Sequence, residues 1–285
     1  MNTDEFTDHL VKLSQASLRN FTDPGEIQWP AHADAAAWHF TPELISIYGT
    51  PAWDALDDAA QRRLSLFEAV NFFSLNVHGE KFLISEISRH LYTGEHPELS
   101  RYLLHFVEEE TKHMMYFSDF CNRYAGKVYR DRTLQLDHGL ESDLATFLLY
   151  ARIYLFEEIV DEYNRIMAAD ERLAPIAREI NRMHHVEESR HLAFGRKYLR
   201  YLVERDEDEW DAWTRTRVRE HLNGFLDLAW KQYYNPEVYE DAGLSDAFGT
   251  WRSAYDDPSR QRHRTRINRK RLGLLRELEL LEDPS

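Results

Sequence analysis

Apolar residues recur every three or four positions through most of this chain, and nowhere do they alternate with period two long enough to make a sheet. The pattern predicts an amphipathic helix over 5–21, then an irregular stretch to His39 marked by Pro24-Gly25 and Trp29-Pro30. Thr41-Pro42-Glu43 has the form of a helix start, a capping hydroxyl followed by proline in the first turn. Four long helices are predicted next, at about 57–92, 97–126, 141–169 and 175–204, with Thr93-Gly94 stopping the first. Residues 131–139 are polar and loop-like, the acidic run 206–209 breaks the fourth helix, and another helix covers about 210–233. The tail, 260–281, is dense in arginine and then in leucine and glutamate, and predicts a C-terminal amphipathic helix. No solenoid repeat or flexible linker interrupts the order, so one all-α domain over 1–285 is expected, its bundle core at about 57–204.

Two of these helices carry a Glu-x-x-His spacing, Glu110 with His113 and Glu188 with His191. His184 lies one turn before Glu188, so His184, Glu188 and His191 project from one helical face within two turns, which is a metal-ligand spacing. In a helical hairpin, residues equally far from the turn lie at the same height, at about 1.5 Å per residue. Counting back across the turn near 93–98 leads from Glu110 to Glu80, whereas Glu68 would be displaced by roughly 18 Å and Glu86 by roughly 9 Å. Glu80 shares its side with Phe73, Val77, Leu83, Ile84 and Ile87, inside the apolar stripe. Across the turn near 168–173, Glu188 leads back to the pair Glu157-Glu158. Glu157 is on the side of Phe147, Tyr150 and Tyr154, while Glu158 shares a face with Glu162 and Arg165, so Glu157 faces the core. The three-residue offset from His113 favours Glu110 over Glu109.

The candidate metal ligands are therefore Glu80, Glu110, His113, Glu157, Glu188 and His191, with His184 added. Four carboxylates match the charge of two divalent cations, so burying the assembly costs far less than burying any carboxylate alone. One Glu, one Glu-x-x-His, one Glu and one Glu-x-x-His on four facing helices make the di-metal carboxylate arrangement of a ferritin-like four-helix bundle, here with additional N- and C-terminal helices.

Composition narrows what such a centre serves. The chain has 285 residues, 43% of them hydrophobic, enough for a large core. A formal charge of -15 opposes general affinity for nucleic acid or anionic membrane and leaves small molecules or proteins as partners. For the same reason the arginine-dense tail reads as a helix packing on the body or a partner subunit rather than as a nucleic-acid arm. Cys121 is the only cysteine, which excludes an intrachain disulfide. With no basic-then-apolar start and no long uncharged apolar stretch, a cytoplasmic protein is expected. Trp230, Tyr233 and Tyr234, read as exposed, suggest a homodimer.

The helices over 57–204 resemble the di-iron N-oxygenases related to p-aminobenzoate N-oxygenase, a branch of the ferritin-like superfamily. The mark of that family is a third histidine one turn before the second Glu-x-x-His, here His184-x-x-x-Glu188-x-x-His191, with Glu157 ahead of it at a similar spacing. Ferritins, ribonucleotide reductase small subunits and desaturases generally have two histidine ligands. The family often has Asp-Glu where this chain has Glu109-Glu110 and Glu187-Glu188, which spares the ligand set and changes the hydrogen bonding behind it. The resemblance implies two irons, dioxygen as cosubstrate, and electrons from a reductase or ferredoxin, since the chain has no flavin or nicotinamide fingerprint. It further implies that a small-molecule amine is oxidised at nitrogen to a hydroxylamine, nitroso or nitro product through a peroxo-bridged diferric species, in secondary metabolism. The alternatives are the same scaffold acting on carbon, by hydroxylation, desaturation or oxidative cleavage, and a non-enzymatic iron-binding ferritin-like protein.

Asn76, Phe106, Phe117, Tyr154 and Phe194 lie within about a turn of these ligands and either fill the core or line a substrate pocket. Asp161 and Asn181 are candidates to hold ligand histidines by hydrogen bonds. His185 points elsewhere, and His78, His90, His105 and His138 have no partner at ligand spacing, so they read as structural.

Overall fold

In the computed structural model, residues 3–93, 96–131, 142–206 and 210–282 are described, and among them the long periodic stretches form helices close to the predicted bounds. Helix α1 (Thr3–Arg19) and a short α2 (Pro51–Asp54) precede α3 (Asp58–His90), α4 (Pro97–Ala125), α5 (Ser142–Ala169) and α6 (Pro175–Asp206). At the start of α3 the Asp57 carboxylate accepts from the Ala60 amide, and Arg89 and His90 sit in its last turn, where cations oppose the helix dipole. Proline opens α4, and Gly126 ends it in the left-handed region at φ 68, donating its amide to the Asn122 carbonyl. Helix α3 packs along α4 and α5 along α6, while α4 meets α6 and α3 meets α5, so the two helices bearing Glu-x-x-His face each other. Helix α1 lies across α4 and α6. This is an all-α bundle of the ferritin-like kind, with further helices at both ends.

Two glycines let the helices approach at the level of the motifs. A Cβ on Gly79 would stand 2.8 Å from the Phe156 ring, and one on Gly195 would stand 2.9 Å from the Tyr154 ring. Gly79 adjoins Glu80, Phe156 adjoins Glu157, and Gly195 is one turn beyond His191, so the contacts that set helix separation also set the spacing of candidate ligands.

Helix α7 (Ala212–Gln232) packs on α5, α8 (Pro236–Asp241) on α3, and α9 (Ala247–Asp256) leads into α10 (Pro258–Arg271), which lies on α5, and α11 (Gly273–Glu277). Three expectations change here. Thr41 does not cap a regular helix: it precedes a short 3-10 turn, Pro42–Leu44, and its hydroxyl donates to Asp170 at 2.8 Å. Trp230, Tyr233 and Tyr234 are buried against Tyr163, Phe72 and the rest of the chain, so the homodimer loses the observation behind it. The 260–281 segment is two helices, and α10 is held by charge more than by an apolar stripe. Arg260 donates to the Ile45 carbonyl at 2.6 Å, and Arg271 pairs with Glu158 at 2.7 Å and Asp161 at 2.6 Å. The cause is the row of carboxylates Glu158, Asp161 and Glu162 on the outer face of α5.

Most of the polar loop 131–139, with His138 and Glu207 to Glu209, lies outside the described residues. Among those described, no helix is long and apolar enough to cross a membrane.

Candidate metal centre

Glu80 from α3, Glu110 and His113 from α4, Glu157 from α5, and His184, Glu188 and His191 from α6 converge in the bundle, all of them buried. Three overlapping groups have ligand atoms within 4.8 Å of one another: Glu80, His113 and His184; Glu110, His113 and Glu188; and Glu110, Glu157 and His191. Glu110 belongs to two groups and reaches both motif histidines, at 2.7 Å from His113 Nδ1 and 2.9 Å from His191 Nδ1. Glu188 is 3.0 Å from His184 Nε2 and 3.2 Å from His191 Nδ1. Glu110 and Glu188 thus lie between two positions, one flanked by Glu80, His113 and His184, the other by Glu157 and His191.

The electrostatics follow that geometry. Burial and the neighbouring Glu110 push the Glu80 carboxyl well above the usual carboxylate range, and burial with Glu188 and Glu110 does the same to Glu157. Burial would also raise Glu110 and Glu188, but the histidines beside them outweigh it and hold both below the ordinary value. Burial opposes a charged His113, yet Glu110, Glu187 and Glu188 raise it to about 9, and His191 is raised likewise. Positive charge is therefore drawn to the middle of the cluster, where two divalent cations would balance four carboxylates. Glu157 Oε1, Glu188 Oε2 and His184 Nε2 are buried without a hydrogen bond, and carboxylate oxygens with imidazole nitrogens are the donor set that suits iron or manganese. The residues fit a two-metal centre.

Each motif histidine is oriented by the opposite helix. His191 Nε2 donates to Glu109 on α4 at 2.8 Å, and His113 Nε2 donates to Glu187 on α6 at 2.9 Å. Arg190 pairs with Glu109 at 2.6 Å and Lys112 with Glu187 at 2.8 Å, again across the helix pair. Burial alone would raise the Glu109 carboxyl, but His191 and Arg190 bring it down to about 2, and His113 and Lys112 lower Glu187. Ionised carboxylates only accept, so the Nε2 atoms carry the protons and Nδ1 of both rings turns to the centre. His184 is reversed: its Nδ1 rests on the Asn164 amide and its Nε2 faces Glu80 and Glu188.

The sequence placed Glu109 and Glu187 behind the ligand set without showing what they hold, and the roles of Lys112, Arg190 and Asn164 were missed. A signal for four of them was present, because Glu109-Glu110-Thr111-Lys112-His113 and Glu187-Glu188-Ser189-Arg190-His191 are one pattern, Glu-Glu-hydroxyl-cation-His, written twice. The residues proposed instead do other work. Asp161 accepts from His185 at 2.5 Å and binds Arg271, and Asn181 donates to the Ala177 carbonyl at 2.7 Å. Glu158 turns away to Arg271, as its face predicts. Among the remaining histidines, His78 meets the Tyr129 carbonyl and His105 pairs with Glu108.

Of the candidate pocket residues, Phe106 stacks on His191 with ring centroids 3.8 Å apart, and Phe117 meets His184 edge-on at 4.9 Å. Phe194 packs on Tyr102 and Tyr198, and Tyr154 is buried against Gly195. Asn76 donates to the Phe72 carbonyl, leaving its buried Oδ1 without a partner.

Known proteins share this architecture. An R2-like ligand-binding oxidase, a tyrosine-to-phenylalanine mutant with aerobically reconstituted Mn/Fe cofactor, matches over 96% of this chain and 94% of its own, with TM-score 0.55 and 16% identity. An R2-like ligand-binding oxidase with aerobically reconstituted metal cofactor after photoconversion matches over 94% and 92%, with TM-score 0.53 and 16% identity. At that identity the likeness is one of fold. Uncharacterized proteins of Mycobacterium bovis and Mycobacterium tuberculosis are 25% identical over 214 residues, 70% of this chain. The chain matches 62% of the length of these curated relatives. The family model described as P-aminobenzoate N-oxygenase AurF runs from residue 3 to residue 279, through every helix that supplies the centre. The chain therefore belongs to the p-aminobenzoate N-oxygenase AurF family.

Proposed function

We propose that this chain is a di-iron oxygenase that uses dioxygen to oxidise an amine nitrogen. The observation that carries this reading is the third histidine: His184, fixed by Asn164, turns Nε2 toward Glu80 and Glu188 and brings the candidate ligands to four carboxylates and three imidazoles. Family membership supports a two-metal oxygenase, and the likeness in fold to R2-like ligand-binding oxidases with reconstituted metal cofactors agrees with it.

When bound, the irons would supply the reduction of dioxygen; the first oxidation balances as amine, dioxygen, two electrons and two protons giving hydroxylamine and water. The side chains perform the rest. Glu80, Glu110, His113, Glu157, His184, Glu188 and His191 would together hold the metals, Glu110 being common to two of the three ligand groups. Glu109 and Glu187 keep Nδ1 of His191 and His113 turned inward, and Lys112 and Arg190 keep those two carboxylates ionised. Phe106 covers a face of the His191 imidazole and Phe117 packs edge-on against His184, which would keep water from both rings. Asn76 Oδ1, one turn before Glu80, is buried without a hydrogen-bond partner and would serve as an acceptor for an amine N–H.

Anaerobic loading with ferrous iron, metal analysis for iron and manganese, and exposure to labelled dioxygen with arylamines and their deaminated analogues test this directly. Two metals per chain and label in an N-oxygenated product are expected. Fewer than two metals, or label only in products of the deaminated analogues, would reject it.

A further inference from the structure

Helix α10 concentrates six arginines and a lysine in fourteen residues and has no acidic residue, on a chain that is acidic as a whole. Arg262, Arg266 and Arg269 follow the i, i+4, i+7 spacing, so they form one stripe, and all three are exposed. Arg266 reaches His263 Nδ1 at 3.3 Å within the helix, whereas other cations of the helix are tied to the body of the protein, Arg260 on backbone carbonyls, Arg264 on Tyr234 and Tyr255, Lys270 on Glu162 and Arg271 on Glu158 and Asp161. The three stripe arginines line a groove of about 1090 Å³ between α7, α9 and α10.

The wall of that groove is connected to the interior. Trp230 lines it, and its ring centroid is 6.3 Å from that of Tyr163, which is buried and hydrogen-bonded to His263 at 2.9 Å. Tyr163 is followed in α5 by Asn164, the residue whose amide rests on His184. One ring contact, one stretch of backbone and one hydrogen bond thus lead from the groove to a candidate metal ligand. A second line of rings, Tyr163 on Phe72, Phe72 on Phe73, Phe73 on Phe117, reaches the same histidine.

We infer that the α10 groove is the docking surface for an acidic, one-electron redox protein of the iron–sulfur class, which delivers electrons to the centre beside Trp230. The inference rests on the oxygenase reading, which requires two external electrons per turnover. Each encounter oxidises one reduced [2Fe–2S] cluster and reduces one ferric ion, so two encounters supply the pair. A confined positive stripe on a chain of charge -15 selects a partner with a small acidic face, because a long polyanion would also meet the negative remainder of the surface.

The test uses the full-length, iron-loaded protein with its centre oxidised, and an acidic plant-type [2Fe–2S] ferredoxin, photoreduced, as probe. Loss of ferric absorption is followed by stopped flow, and ferredoxin binding is measured separately by calorimetry. Reduction should slow about tenfold or more at high salt, and by a similar factor in the variant Arg262→Glu, Arg266→Glu, Arg269→Glu, while the small neutral donor reduced deazaflavin acts equally on both. Trp230→Leu should slow reduction without weakening ferredoxin binding, and Trp230→Phe should recover part of the rate. Equal ferredoxin rates in wild type and the charge-reversed variant overturn the inference, as does a variant that loses affinity for single-stranded DNA while binding ferredoxin as before. Metal content is measured on the same samples. A chain that fails to load iron defeats the oxygenase reading, whereas the calorimetric arm still decides the surface.

Discussion

Glu109 on α4 accepts the Nε2 proton of His191 on α6 at 2.8 Å, across the interface between the two motif helices. Glu187 repeats the relation in the other direction with His113 at 2.9 Å. Neither carboxylate is among the groups that converge on the candidate metal positions, yet each decides which nitrogen of an imidazole does.

Removing that control should weaken metal binding without emptying the bundle. Glu109→Ala and Glu187→Ala are each expected to lower metal affinity about 10- to 100-fold, the usual effect of losing the partner behind a ligating histidine. Chelator competition reads this, and affinities equal to wild type would show that the carboxylates serve only to pair Arg190 and Lys112.

His184 is the residue to change first. His184→Ala should reduce metal content or oxygen-dependent amine turnover, while Asn164→Ala, which frees the ring without deleting it, should produce a smaller shift in the same direction. Metal analysis with a turnover assay compares the two. An unchanged His184→Ala protein would leave the third histidine without a role.

Helix spacing at the centre depends on glycine. In Gly195→Ala the new methyl would stand 2.9 Å from the Tyr154 ring, a contact that forces helix α5 or α6 to shift. The expected cost is about 1–3 kcal/mol, as for overpacking elsewhere in cores. Combining it with Tyr154→Leu should recover part of that loss in denaturant melts, and strictly additive effects would deny the clash.

A separate buried carboxyl, Glu68, should give the protein a pH dependence unrelated to metal. It accepts from the Ser46 amide at 3.2 Å, and Ser46 Oγ contacts Tyr239 at 2.7 Å. Burial raises Glu68 to about 7 despite these bonds and the nearby Arg260. The folded state then binds more protons than the unfolded chain between about pH 4.5 and 7, so stability falls as pH rises through that window. The share due to Glu68 is on the order of 3 kcal/mol, and Glu68→Gln should remove that share while Glu80 and Glu157, raised likewise in the metal-free cluster, keep theirs. Melts of the metal-free protein across that range check the sign, and a wild-type slope retained in Glu68→Gln would assign the effect to another group.

How far the sequence carried the site depends on whether a residue acts along its own helix or across to another. Glu110 with His113, and His184 with Glu188 and His191, share helical faces, and a period of 3.6 suffices to group them. Glu80 and Glu157 came from the rise per residue and the shortness of the turns, which fix height in a hairpin. The docking of one hairpin on the other depends on side-chain packing such as Phe156 of α5 against Gly79 of α3, and no count along the chain reports it.

Helix bounds, the all-α class and the convergence of seven polar residues were therefore determined by local periodicity and short-range geometry. Tertiary structure decided which nitrogen each histidine presents, because that depends on a carboxylate or amide supplied by another helix: Glu109 for His191, Glu187 for His113 and Asn164 for His184. It also decided the fate of Trp230, Tyr233 and Tyr234, buried under the C-terminal helices instead of exposed, and it turned an arginine-dense tail into a helix clamped on α5 through Glu158, Asp161 and Glu162. Charge and aromatic rings find their partners through space, at separations in sequence that helical period does not encode.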